Sequence, residues 1–97
     1  MAQLSFNITE QDILRFLYRK NCGEHILTST NGLIAQVIQD QTKMRGILLN
    51  NNFYFRSSRY SLENISNDVI IRAEAIELSG IVAPFSFEVE YTDNVPF

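Results

Sequence analysis

Hydrophobic and polar residues alternate near both ends of the chain. Leu4, Phe6 and Ile8 are separated by Ser5 and Asn7, the period-two pattern of a strand with one buried face. Towards the other end Phe85, Phe87, Val89 and Tyr91 interleave with Ser86, Glu88 and Glu90. The glutamates are therefore expected on the wet face of a strand, with Pro84 marking its start or an edge. After Ile8 the period changes. Ile13, Leu14, Phe16, Leu17 and Tyr18 make a wide apolar stripe, and Gln11, Arg15 and Arg19 make the opposite, wet one. Thr9 followed three positions later by Asp12 resembles a capping box with Asp in place of Glu or Gln. Glu10 and Asp12 suit the positive end of a helix dipole, and Arg19 and Lys20 its negative end. Asn21-Cys22-Gly23 supplies a left-handed C-terminal cap. The pattern predicts one helix over about 10–21.

From Glu24 the chain reads mainly as strands. His25 to Thr30 and Leu33 to Gln39 flank Asn31-Gly32, a dipeptide suited to the positive φ angles of a type I′ hairpin turn. Asp40 to Lys43 turns the chain into a strand from Met44 to Leu49, where Gly46 suggests a bulge or a close backbone approach. Asn50-Asn51-Asn52 is a second turn, because asparagine tolerates left-handed geometry. Phe53 to Tyr60 reads as one extended aromatic segment, and Ser61 to Asn67 as a break. Residues 69–78 carry two signals. Val69, Ile70, Ala73 and Ile76 share a helical face between a Ser66 or Asn67 cap and Gly80, whereas the β-branched run Val69-Ile70-Ile71 favours a strand; the strand is preferred. Phe97 is either part of a loose end or docks on the body. The expected fold is α+β: one domain over residues 1–97, with one N-terminal helix packed on a mostly antiparallel sheet of about six strands.

A chain of 97 residues with one cysteine needs no disulfide framework, and none can form within it. Its apolar runs reach three residues, as in Val69-Ile70-Ile71, so no membrane span is expected. The first residues lack the basic start and apolar run of a secretory signal. A cytoplasmic protein is expected, in which Asn7-Ile8-Thr9 and Asn64-Ile65-Ser66 carry no meaning as glycosylation sites. Charge adds more. Residues 1–60 carry a net +3 and residues 61–97 a net −6, an asymmetry that points to charged partners.

Candidate chemistry is sparse. Cys22-Gly23-Glu24-His25 superficially resembles part of a metal or thiol site, but zinc needs three or four ligands and His25 is the only histidine. No nucleophile elbow, phosphate loop or dinucleotide fingerprint occurs. Neither enzymatic activity, a metal nor a cofactor is expected. Two surfaces remain. Glu74, Glu77, Glu88 and Glu90 are expected to form an acidic patch that docks on a basic protein, in the manner of an inhibitor, immunity protein or antitoxin facing a nuclease or toxin. Lys43, Arg45, Tyr54, Arg56 and Arg59 combine cations with rings, the ingredients of single-stranded nucleic-acid binding, although a pI of about 5.0 opposes that alternative. The third reading is a self-assembling structural or adaptor subunit, a homodimer for instance, in which unlike surfaces of two copies meet.

Overall fold

A computed structural model describes residues 2–93 of the chain. Five strands and four helical segments follow in the order β1 (Ala2–Ile8), α1 (Glu10–Asn21), α2 (Thr28–Asn31), α3 (Leu33–Thr42), β2 (Gly46–Leu49), β3 (Asn52–Phe55), β4 (Tyr60–Glu63), α4 (Asn67–Ser79) and β5 (Phe85–Asp93). The strands form one antiparallel sheet ordered β1-β5-β4-β3-β2. The protein is thus α+β as expected, with five strands rather than about six and a larger helical layer.

Local chemistry explains the elements that matched expectation. At the start of α1 the Asp12 N–H donates to Thr9 Oγ1 at 3.2 Å, and the Thr9 N–H donates to Asp12 Oδ2 at 2.9 Å. The shorter aspartate therefore completes a capping box. Gly23 leaves the helix with φ +89°, the left-handed geometry expected after Asn21 and Cys22. Asn50 and Asn51 turn the chain between β2 and β3 with φ of 49° and 67°. The Asn51 side chain also donates to the Ile65 carbonyl at 2.8 Å.

The middle of the chain differs from the expected hairpin. Asn31 closes the short α2 with its side chain accepting from the Leu27 N–H at 2.6 Å. Gly32 has φ −67° and ψ 178° and precedes α3 as its N-cap, so no type I′ turn forms. Leu33 to Ile38 are all buried. Gln36 is buried with its apolar neighbours, so the polar residue marks no wet face, and the Asn31-Gly32 turn signal makes the segment read as a strand. Residues 69–78 are also helical. Ser66 Oγ accepts from the Asp68 N–H at 3.1 Å, and Gly80 ends the helix with φ +75°. The caps at its two ends prevail over its β-branched residues. The aromatic segment from Phe53 to Tyr60 is a hairpin that turns at residues 56–59, so Tyr60 lies on the core side and stacks on Tyr91 at 4.9 Å. Phe97 lies outside the described residues.

The layers assemble around α3. This helix contacts α1, α2 and α4 and also β1 and β2, the two edge strands; the sheet therefore curls about it. Phe6, Ile8, Phe53, Phe55, Leu62, Phe87 and Val89 line the covered face, and Phe6 stacks on Phe87 across the β1–β5 pair with centroids 5.6 Å apart. From α1 only Ile13 and Phe16 are buried. Leu14 and Tyr18, expected within the same stripe, are exposed.

Gly46 marks a close approach. A Cβ there would lie 2.3 Å from the Tyr54 carbonyl oxygen and 2.6 Å from the Phe53 ring. Because a backbone atom obstructs it, Gly46→Ala should destabilise the fold by about 2–3 kcal/mol, read as a lower urea midpoint at unchanged slope; an unchanged midpoint would show that the β2–β3 pair yields easily.

Candidate functional site

The sheet face away from the helices carries no helix and is exposed over β1 and at Glu88, Tyr54 and Leu49, although Ser61 at its middle is fully buried. Strict alternation places Gln3, Ser5 and Asn7 of β1, Ser86, Glu88, Glu90 and Thr92 of β5, Ser61 and Glu63 of β4, Asn52 and Tyr54 of β3, and Ile47 and Leu49 of β2 on it. No lysine or arginine occurs among these strand positions. The face divides into two parts. Over β5 and β4 stand three carboxylates, and Glu63 is the direct cross-strand partner of Glu90. Glu90 accepts from the Asn64 side-chain amide, and Glu63 accepts from Thr92 Oγ1 at 3.4 Å. These are neutral donors, and none of the three carboxylates forms an ion pair within the described residues. Over β3 and β2 stand Tyr54 and Leu49, exposed at 40% and 47%, with Ile47 paired to Tyr54.

The four glutamates read from the sequence therefore do not share one surface. Glu88 and Glu90 occupy the open face. Glu74 and Glu77 lie on α4, in the helical layer on the other side of the sheet, where they border a small recess with Thr28, Ile34 and Leu48. Glu74 is exposed, but Glu77 is half-buried and holds the fold together. Its Oε2 accepts from the Leu33 N–H at 2.8 Å, at the otherwise uncapped start of α3. Lys20 Nζ donates to the Glu77 carbonyl oxygen at 2.6 Å, tying α1 to the same point. Glu63 belongs to the acidic face but was hidden in the sequence, because residues 61–67 read as a break. The Glu90 alternation, continued across the next strand, was the signal that could have found it.

The basic set divides as well. Lys43 and Arg45 border a cleft of about 560 Å³ with Arg15 and Arg19 of α1. Arg56 adjoins Arg45, its N–H donating to the Arg45 carbonyl at 2.8 Å. Arg59 lies over the Tyr60 ring at 5.8 Å, and Tyr54 stands on the open face between Ile47 and Ser61. Rings and cations thus do not combine into one stacking platform. Cys22 and His25 are exposed in the link after α1. Among the described residues no cluster of three or more His, Cys, Asp or Glu could hold a metal, and no helix is long and apolar enough to cross a membrane.

Comparison with known protein families, with characterised proteins and with solved structures finds no match to this chain.

Burial raises the Glu77 pKa; the Leu33 N–H bond opposes that rise, Glu74 reinforces it and Lys20 opposes it. A carboxyl whose pKa is higher folded than unfolded binds more protons in the folded state, so its contribution to stability falls as pH climbs from the ordinary value of 4.5 through the raised value. Glu77→Gln keeps an oxygen acceptor for Leu33 and removes the titration. Urea midpoints measured from pH 4 to 8 should therefore fall less steeply for Glu77→Gln than for the native chain; parallel profiles would show that Glu77 does not titrate differently on folding.

Proposed function

We propose that the protein is a non-enzymatic, cytoplasmic protein-binding module whose open sheet face docks on a basic protein, in the manner of an inhibitor, immunity protein or antitoxin. The observation that carries this reading is the Glu63–Glu90 pair. Like charges directly opposite on neighbouring strands work against the sheet, and here no cation of the face offsets them. A cationic partner would relieve that repulsion, so the free protein holds in reserve an interaction available for binding. Glu88, one alternation along β5, extends the negative field. Such a field raises the association rate with a basic surface and rejects acidic ones.

The other part of the face supplies what charge alone lacks. The exposed Tyr54 and Leu49 form an aromatic and aliphatic cluster with the half-buried Ile47 on the same surface. A ring with a polar tip beside aliphatic side chains suits the anchoring centre of an interface. A nuclease or a toxin with a cationic cleft is the partner class that fits both parts.

Two measurements test the reading. Without any partner, Glu63→Gln should raise stability by about 0.2–1 kcal/mol, seen as a higher urea midpoint at neutral pH; no gain would remove the stored repulsion. With the products of neighbouring genes as candidate partners, joint substitution of Glu88→Lys and Glu90→Lys should weaken binding at least tenfold and flatten its salt dependence. Glu74→Lys, on the far side of the sheet, should leave both unchanged. Equal losses from the two surfaces would reject the open face as the docking site.

A further inference from the structure

The cleft between α1, α3 and the link that follows α3 has a chemistry opposite to that of the open face. Arg15, Arg19, Lys43 and Arg45 converge on it, with Asp40 as the one carboxylate among the described residues of its lining. Its volume of about 560 Å³ lies in the range of small-molecule sites. We infer that this cleft binds a compact polyanion bearing two or more phosphate groups, of the size of pyrophosphate or tripolyphosphate.

The cations are presented in two ways. Arg19 is fixed in place: its Nε donates to Gln36 Oε1 at 3.2 Å, its Nη2 to the Asn31 carbonyl at 3.0 Å, and its Nη1 to Glu24. Arg15 spends Nη2 on Asp40 and on Asp12, the latter at 3.6 Å. Among the described residues Nε and Nη1 of Arg15 have no partner, and they remain as donors for a ligand. Lys43 and Arg45, in contrast, have no carboxylate within ion-pair distance among the described residues. Lys43 also holds φ +62° at the C-cap of α3, a left-handed position that glycine fills at lower cost. The lysine occupies a backbone site that favours another residue, at the rim of a cationic cleft, which is where strain retained for binding is expected.

The floor limits what the ligand can be. The Gln36 amide donates to the Asp12 carbonyl at 2.9 Å, and the Gln39 amide donates to the Thr30 and Ala35 carbonyls while its oxygen accepts from the Gly46 N–H. These amides are committed, so recognition falls to guanidinium and ammonium groups, which favour phosphate oxygens. Among the described residues no aromatic ring lines the cleft. A nucleobase would find nothing to stack on, and this favours a small phosphate polyanion over a single strand of nucleic acid.

Asp40 gives the inference a sharp test, because its carboxylate holds the Arg15 guanidinium that the ligand would engage. The experiment is calorimetric titration of the full chain at low salt with tripolyphosphate, pyrophosphate, orthophosphate and a thymidine homopolymer. Affinity should fall in the order tripolyphosphate, pyrophosphate, orthophosphate. Asp40→Asn should tighten tripolyphosphate binding severalfold, and Lys43→Gly should weaken it about tenfold while raising the urea midpoint, so misfolding could not account for the loss. The inference fails if tripolyphosphate does not bind at millimolar concentration, if Lys43→Gly binds as well as the native chain, or if Asp40→Asn leaves affinity unchanged. Tighter binding of the homopolymer than of tripolyphosphate would also overturn it, in favour of a nucleic-acid surface.

Discussion

The structure depends on burying the first part of a helix, Leu33 to Ile38, on every side. Residues Leu33 to Ile38 are buried around the whole circumference of α3, so the sheet must curl until both its edges reach the helix, and α1 and α4 must close the remaining sides. Such a helix cannot satisfy its first N–H groups with water. Glu77 reaches across from α4 to take the Leu33 N–H, and Gly32 keeps its carbonyl for the Gln36 N–H. A side chain at position 32 would meet the Glu77 carboxylate at 3.0 Å and the Thr28 backbone at 3.1 Å. The polar side chains of α3 serve the same need from within: Gln36 joins α1 through Arg19 and the Asp12 carbonyl, and Gln39 joins β2 through the Gly46 N–H.

That burial also decides how much can be read from the residues alone. α1, β1 and β5 each have one wet side, so their periods are legible and their limits match the structure closely. α3 has no wet side over Leu33 to Ile38, and α4 is apolar on two: Ala73 and Ile76 face the core while Ile71 and Leu78 are exposed at 63% and 83%. In α4 the shared face of Val69, Ile70, Ala73 and Ile76 is blurred by the apolar residues opposite it, and in α3 the polar Gln36 is itself buried. For α4 the terminal caps held the information that its composition obscured. For α3 only tertiary contacts carry it. The acidic face was half legible, since Glu88 and Glu90 follow from alternation within one strand. Glu63 enters through the pairing of β4 with β5, and Glu74 and Glu77 leave it because residues 67–79 are helical.

Charge segregation in the sequence becomes segregation in space, along lines set by the fold rather than by chain order. The acids that matter for the open face come from β4 and β5. The cations gather where α1, α3 and the start of β2 meet, and Arg15 and Arg19 reach that point only because α1 packs on α3. A chain with a modest net charge thereby acquires two surfaces of opposite sign on different layers.

Strand β1 lies at the border of the sheet and bonds only to β5, so Phe6 finds its register partner at Phe87. As the polypeptide leaves the ribosome, the three-stranded meander of β2, β3 and β4 can form before β5 has been made, whereas β1 has no strand to pair with until then. Closing so large a loop is slow compared with making local hairpins, and the backbone edge of β1 stays unpaired meanwhile. β5 is therefore the strand that locks the sheet, and its loss would leave both β1 and β4 with unsatisfied edges.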